Sequence, residues 1–187
     1  LAEHGDGLTV LYTTVEAFTD QFVGALHTHA LEEFKAHYRG VDVLLVDDVQ
    51  FLQSKARTEQ EFFHTFNALH GAGAQLVLTS DRLPRDMAAL EDRLRERFEA
   101  GLVCDVKPPD FGTRLTILRK RVLQDGVRGV DADALALIAE RVDSNIRALE
   151  GALIRIVAFG SLTGRPVTTE LVGEVLGGLY PDLRLRA

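Results

Sequence analysis

The apolar run Val43-Leu44-Leu45-Val46 ends in two adjacent carboxylates, Asp47 and Asp48. Aspartate is costly inside a strand covered on both faces, so the pair is expected at the strand end. There the carboxyl edge of an open α/β sheet forms the ligand crevice. Two carboxylates in that place suit the Mg²⁺ that accompanies a nucleoside triphosphate, and they suit equally the capping of a following turn or helix. A second apolar stretch, Gln75-Leu76-Val77-Leu78, runs into Thr79-Ser80-Asp81 and repeats the device as a buried strand with a polar tip. Phe62, Phe63, Phe66 and Leu69 give the segment between them helical spacing, and a parallel crossover of that kind sends both polar tips to one sheet edge.

Cations form the other half of the pattern. Met87, Leu90, Leu94 and Phe98 define one helix stripe, and Arg93, Arg95 and Arg97 lie between them. Arg93 and Arg97 share a face and repel, so they need either neutralisation by Glu91, Asp92, Glu96 and Glu99 or an outside anion. Arg147 falls in the first turn of a later helix, beside the positive end of the helix dipole. That position calls for an anion or for a neighbouring carboxylate such as Glu140 or Glu150.

The elements that must hold these groups are legible in the pattern. Leu8 to Thr13 reads as a strand, and Val15, Phe18, Phe22 and Leu26 as a helix opened by Thr13 or Thr14. A helix over Ala30 to Tyr38 stops at Gly40, before the strand that ends at Asp47. Gly101 to Val106 reads as a further strand containing Cys104 as a buried thiol. Lys107-Pro108-Pro109-Asp110 marks a boundary, dividing an α/β core over 1–109 from a helical unit over 110–187. In the second part Leu115, Leu118 and Val122, then Leu135, Ile138 and Val142, then Ile146, Leu149, Leu153 and Ile156, then Leu171 and Val175 read as a small bundle. Ser144 or Asp143 is the expected cap of its third helix.

Composition bounds the function. The chain has 187 residues, 46% of them hydrophobic, and a formal charge of -7, which disfavours bulk attraction to nucleic acid and leaves only a local basic patch for such binding. No run approaches the roughly 18 apolar residues of a membrane helix and no signal segment is evident, so a cytoplasmic setting is expected. One cysteine allows no internal disulfide, and His27 and His29 point to different faces of a helix, which argues against a shared metal.

Taken together, Glu32-Glu33-Phe34, Asp47-Asp48-Val49-Gln50-Phe51, Glu61-Phe62-Phe63-His64-Thr65-Phe66-Asn67, Leu78-Thr79-Ser80-Asp81-Arg82, Glu91-Asp92-Arg93-Leu94 through Arg97-Phe98, and Ser144-Asn145-Ile146-Arg147 through Gly151 closely resemble the AAA+ module of the DnaA family of bacterial replication initiators. The resemblance covers about Leu8 to Leu179. It implies an α/β P-loop NTPase sheet followed by an α-helical lid, ATP and Mg²⁺ as cofactors, and slow hydrolysis. It further implies that Asp47 is the Walker B carboxylate, Asp48 the adjacent acid that positions water, and Asp81 sensor I. Arg97 becomes the arginine finger toward the next subunit's nucleotide, Arg93 an accessory contact and Arg147 sensor II on the lid. Val23, Lys55 and Arg57 fall where the family contacts single-stranded DNA. Expected partners are further copies of the chain, single-stranded and duplex origin DNA, and the replicative helicase with its loader.

Two departures qualify the resemblance. No G-x-x-x-x-G-K-[ST] occurs, so the loop that holds the triphosphate, and the central strand leading to it, are missing from the sequence as given. Pro181 to Ala187 stops where the family continues into a helix-turn-helix domain that reads duplex origin sites. The expectation is a fragment of an initiator that does not bind ATP tightly by itself. A regulatory paralogue acting through the polymerase clamp would carry a clamp-binding segment, which Leu1 to Leu8 does not resemble, and a helicase-loader relative would lack the Glu61 and Ser144 stretches. A nucleotide-free interaction module is the remaining alternative.

Overall fold

A computed structural model describes residues 7–179, so Leu1 and the Pro181–Ala187 stretch lie outside the described residues. Two compact units divide the chain, Leu1–Cys104 and Asp105–Ala187, and each is built around its own core.

In the first unit β1 (Val10–Thr14), β2 (Val43–Asp47) and β3 (Gln75–Leu78) form a parallel sheet in the order β1-β2-β3. The crossovers are helical: α1 (Val15–His27) with α2 (Leu31–Arg39), and α3 (Ala56–Gly71). Thr14 caps α1, its hydroxyl accepting the Ala17 N–H at 3.1 Å. Val15, Phe18, Phe22 and Ala25 form the buried face of α1, while Leu26, expected there, is exposed because the helical drift carries it past the core. Gly40 ends α2, its N–H bonding the Ala36 carbonyl. Phe18 anchors an aromatic centre, with ring centroids 5.1 Å from Phe34, 4.8 Å from Tyr38 and 5.4 Å from Phe62.

Three expectations are corrected. β3 is not buried on both faces: Leu76 and Leu78 pack against the core, while Val77 is 44% exposed on the opposite face of the sheet, which it shares through Leu45 with exposed Tyr12. The 101–106 segment forms no strand and pairs with nothing there, leaving Leu102, Val106 and Cys104 exposed, since a strand needs a ladder to persist. Finally, the helix α4 begins at Asp92 and ends at Glu99, so Met87 and Leu90, though buried, reach the core from a turn. The N–H of Glu91 is taken by the Glu59 carboxylate at 3.1 Å, a tertiary acceptor where a longer helix would use the Met87 carbonyl.

The second unit is a bundle of α5 (Phe111–Gln124), α6 (Ala132–Arg141), α7 (Ile146–Thr163) and α8 (Thr169–Leu179). Asp110 caps α5 by accepting the Thr113 N–H at 2.7 Å. The cap of α7 is Asn145, not Ser144 or Asp143: its Oδ1 accepts the Ala148 N–H at 2.7 Å, and the extended backbone of Asn145 aims it there. Ile146, expected in the stripe, is exposed, and the buried side of α7 starts at Leu149. Arg114 ties α5 to α6 by donating to the Ala139 carbonyl at 2.7 Å. At the end of α7 the chain returns so closely that a methyl group on Gly160 would stand 2.8 Å from the Arg165 carbonyl oxygen and 3.2 Å from Leu171. Gly160→Ala should therefore lower the unfolding free energy by about 1–3 kcal/mol through overpacking, measured by urea denaturation of the chain.

Candidate functional site

Parallel pairing fixes where the acids emerge. In the ladders Thr14 stands opposite Asp47, and Val46 opposite Leu78, so the carboxyl ends of all three strands meet at one edge. Asp47, the last residue of β2, is half-buried there. Its Oδ2 accepts the Tyr12 hydroxyl at 3.1 Å from β1, and its Oδ1 accepts the Thr79 hydroxyl from just beyond β3. Each flanking strand thus contributes a hydroxyl donor that orients the carboxylate.

Asp48 does not cap the following turn with its side chain. It adopts a left-handed backbone, φ 61°, tolerable for aspartate, and its Oδ1 accepts the Gln50 amide at 2.9 Å. Its own N–H donates to Thr79 Oγ1 at 3.1 Å, and the Val49 N–H donates to the Thr79 carbonyl at 2.9 Å. Thr79 therefore holds both aspartates. Neither it nor Tyr12 stands out in the sequence, although the register that sets Leu78 beside Val46 also sets the next residue beside Asp47.

Asp81 lies past β3 on an exposed bend, joined by two bonds of 2.7 and 2.9 Å to Arg82. Those bonds hold its carboxyl below the usual carboxylate range. On α4 the arginines divide. Arg93 pairs with Glu91 at 2.8 Å and lies over the Phe63 ring, 4.5 Å from its centroid, and Arg95 pairs with Asp92. Arg97 is exposed and makes no ion pair among the described residues. Arg147, in the first turn of α7, is likewise exposed, and no carboxylate among the described residues pairs with it.

Val23 is exposed on α1, and Lys55 and Arg57 open α3. The carboxylates near those cations are engaged elsewhere. Glu59 is buried, and Glu61 pairs with Arg39 at 2.5 Å. The α3 N-terminus is thereby left locally basic on an acidic chain.

Mg²⁺ carried with a nucleotide keeps water and phosphate ligands and needs only one or two carboxylates. Asp47, with its orientation fixed, and Asp48 beside it fit that requirement, whereas no three His, Cys, Asp or Glu among the described residues cluster to hold a metal unaided.

The model of the bacterial DnaA ATPase domain matches residues 1–105. A chromosomal replication initiator protein DnaA from Cutibacterium acnes is 52% identical over 179 residues, which is 96% of this chain and 36% of that relative. The chain thus spans about a third of that relative's length. Among solved structures, domain III of the Thermotoga maritima replication initiation protein DnaA is 39% identical with a TM-score of 0.89, over 95% of this chain and 74% of that one. A replication initiator DnaA bound to AMPPCP and single-stranded DNA is 34% identical with a TM-score of 0.73, over 81% of this chain and 46% of that one.

The contact between Asp47 and Tyr12 can be read by titration. The carboxylate, by accepting the hydroxyl's proton bond and then by its charge, raises the Tyr12 pKa above the ordinary phenol value. The contact favours the folded state below a pH of about 10 and the benefit is lost as pH rises through the raised value. An absorbance titration of tyrosinate should show Tyr12 ionising late alongside Tyr38, which burial also raises, and Asp47→Ala should move Tyr12 back toward the ordinary range while Tyr38 stays late.

Proposed function

This chain belongs to the bacterial DnaA ATPase-domain family and has its α/β AAA+ fold, and on that premise we propose that it is the nucleotide-responsive module of a chromosomal replication initiator. The parent protein assembles with copies of itself on origin DNA in the cytoplasm and helps to open the duplex, with ATP as the assembly switch. Duplex recognition is assigned to a domain beyond this module, and the helicase and its loader to later partners. One observation carries the reading: of the three arginines on α4, Arg93 and Arg95 are paired within the chain, while exposed Arg97 has no such partner among the described residues. A planar guanidinium left available on a rigid helix suits bidentate capture of a phosphate presented by a neighbouring subunit.

Asp47 would hold Mg²⁺ with a bound nucleotide, kept in place by Tyr12 and Thr79, and Asp48 would orient the attacking water. When bound, the metal ion would neutralise phosphate charge. Asp81 is proposed as sensor I and Arg147 as sensor II, whose place at the dipole-positive end of α7 becomes favourable once a phosphate lies beside it. Val23, Lys55 and Arg57 are proposed to line the single-strand contact. That DnaA bound to AMPPCP and single-stranded DNA shares this fold supports both assignments.

Arg97→Ala in the full-length protein should weaken ATP-dependent assembly by about a hundredfold, read by light scattering as the shift in the protein concentration at half-assembly, while ATP affinity of the monomer stays within about twofold, since the side chain would act only across subunits. Assembly equal to wild type would remove the finger assignment. Replacing Lys55 and Arg57 together by alanine should weaken single-strand binding and lower the slope of log affinity against log salt by about 0.7 for each phosphate the protein no longer neutralises. An unchanged slope would place the DNA-binding face elsewhere.

A further inference from the structure

Glu59 is a buried carboxylate that none of these roles uses. It is 5% exposed in the first turn of α3, and its Oε2 accepts the N–H of Glu91, the N-cap residue of α4, at 3.1 Å. The Glu91 side chain in turn pairs with Arg93 at 2.8 Å, and Arg93 lies over the ring of Phe63. Phe63 follows Glu59 by four positions, so it occupies the same side of α3 one turn on. The contacts close a loop: α3 grips the N–H that opens α4 through Glu59 and the first-turn arginine of α4 through Phe63.

An apolar side chain would bury at position 59 without the desolvation that a carboxylate suffers. What the carboxylate adds is a directional acceptor for one particular N–H. We propose that this loop is a clamp that sets the reach of Arg97, one turn beyond Arg93, with Glu59 as its positioning residue. We further infer that α3 connects the single-strand contact to the subunit contact. Lys55 and Arg57 stand in the turn that carries Glu59, and the Glu59 N–H bonds the Lys55 carbonyl at 2.9 Å. A phosphate backbone that draws this turn outward or steadies it therefore acts on the start of α4, and the coupling runs equally in the other direction. The inference rests on Arg97 being the arginine that reaches the next subunit.

The test uses the full-length protein. Glu59→Leu removes the acceptor and keeps the bulk, Glu59→Gln keeps an acceptor oxygen, and Phe63→Leu removes the ring but leaves an apolar side chain. Glu59→Leu should weaken ATP-dependent assembly by about tenfold, Phe63→Leu by about threefold and Glu59→Gln by less than about twofold. Monomer ATP affinity should stay unchanged in all three, and stimulation of assembly by an oligothymidylate should fall with Glu59→Leu. In a double-mutant cycle Glu59→Leu should cost nothing further once Arg97 is alanine, an outcome that general destabilisation would not give. The clamp is overturned if Arg97→Ala impairs assembly while Glu59→Leu and Phe63→Leu do not, if the Glu59 and Arg97 effects add in full, or if the oligothymidylate response is unchanged. Should Arg97→Ala itself leave assembly intact, the reading beneath the clamp falls first.

Discussion

The parallel pairing of β2 with both neighbours is the constraint on which the remainder of the first unit depends. Parallel strands must return through crossovers, so every strand points its carboxyl end the same way, and the face of the sheet that carries Leu44 and Val46 packs into the core. That brings Tyr12, Asp47 and Thr79 together from three separated stretches, with Asp47 hydrogen-bonded to both hydroxyls. A carboxylate held by two hydroxyl donors is oriented before any ligand arrives, and orientation fixed in advance is what an electrostatic site requires.

Charge is arranged by pairing more than by composition. The chain is acidic overall, yet Glu59 is turned inward, Glu61 is bound to Arg39, and Glu91 and Asp92 neutralise Arg93 and Arg95. The larger part of the described lysines and arginines make no ion pair among the described residues, Lys55 and Arg57 at one end of α3 and Arg97 on α4 among them. Net charge therefore describes the solubility and long-range field of this molecule, while the local sites follow from which acid meets which base.

The late start of α4 shows how a tertiary contact overrides a periodic pattern. Met87, Leu90, Leu94 and Phe98 have helical spacing and all four are buried, yet only the last two lie on the helix. The periodicity identified the core residues correctly because burial is what spacing encodes. It misplaced the helix boundary because the Glu91 N–H found an acceptor on another element. The same distinction explains the cap of α7, where Ser144, Asp143 and Asn145 have similar capping propensity and the backbone geometry at 145 decides among them.

The sequence alone determined the strands ending at Asp47 and near Thr79, the helices between them, the family, and the set of residues from which a nucleotide site could be drawn. These are local matters, carried by apolar spacing, by the cost of burying a carboxylate and by motif order. The tertiary structure decided which groups are partnered: that Tyr12 and Thr79 orient Asp47, that Phe63 and Glu91 hold Arg93 while Arg97 is left exposed, and that Glu59 fastens α3 to α4. It also decided against a strand at 101–106, whose apolar residues pair with no ladder among the described residues. The physical reason is common to all of these: a hydrogen bond, an ion pair or a ladder is a property of two groups distant in sequence, and only the folded chain fixes their separation.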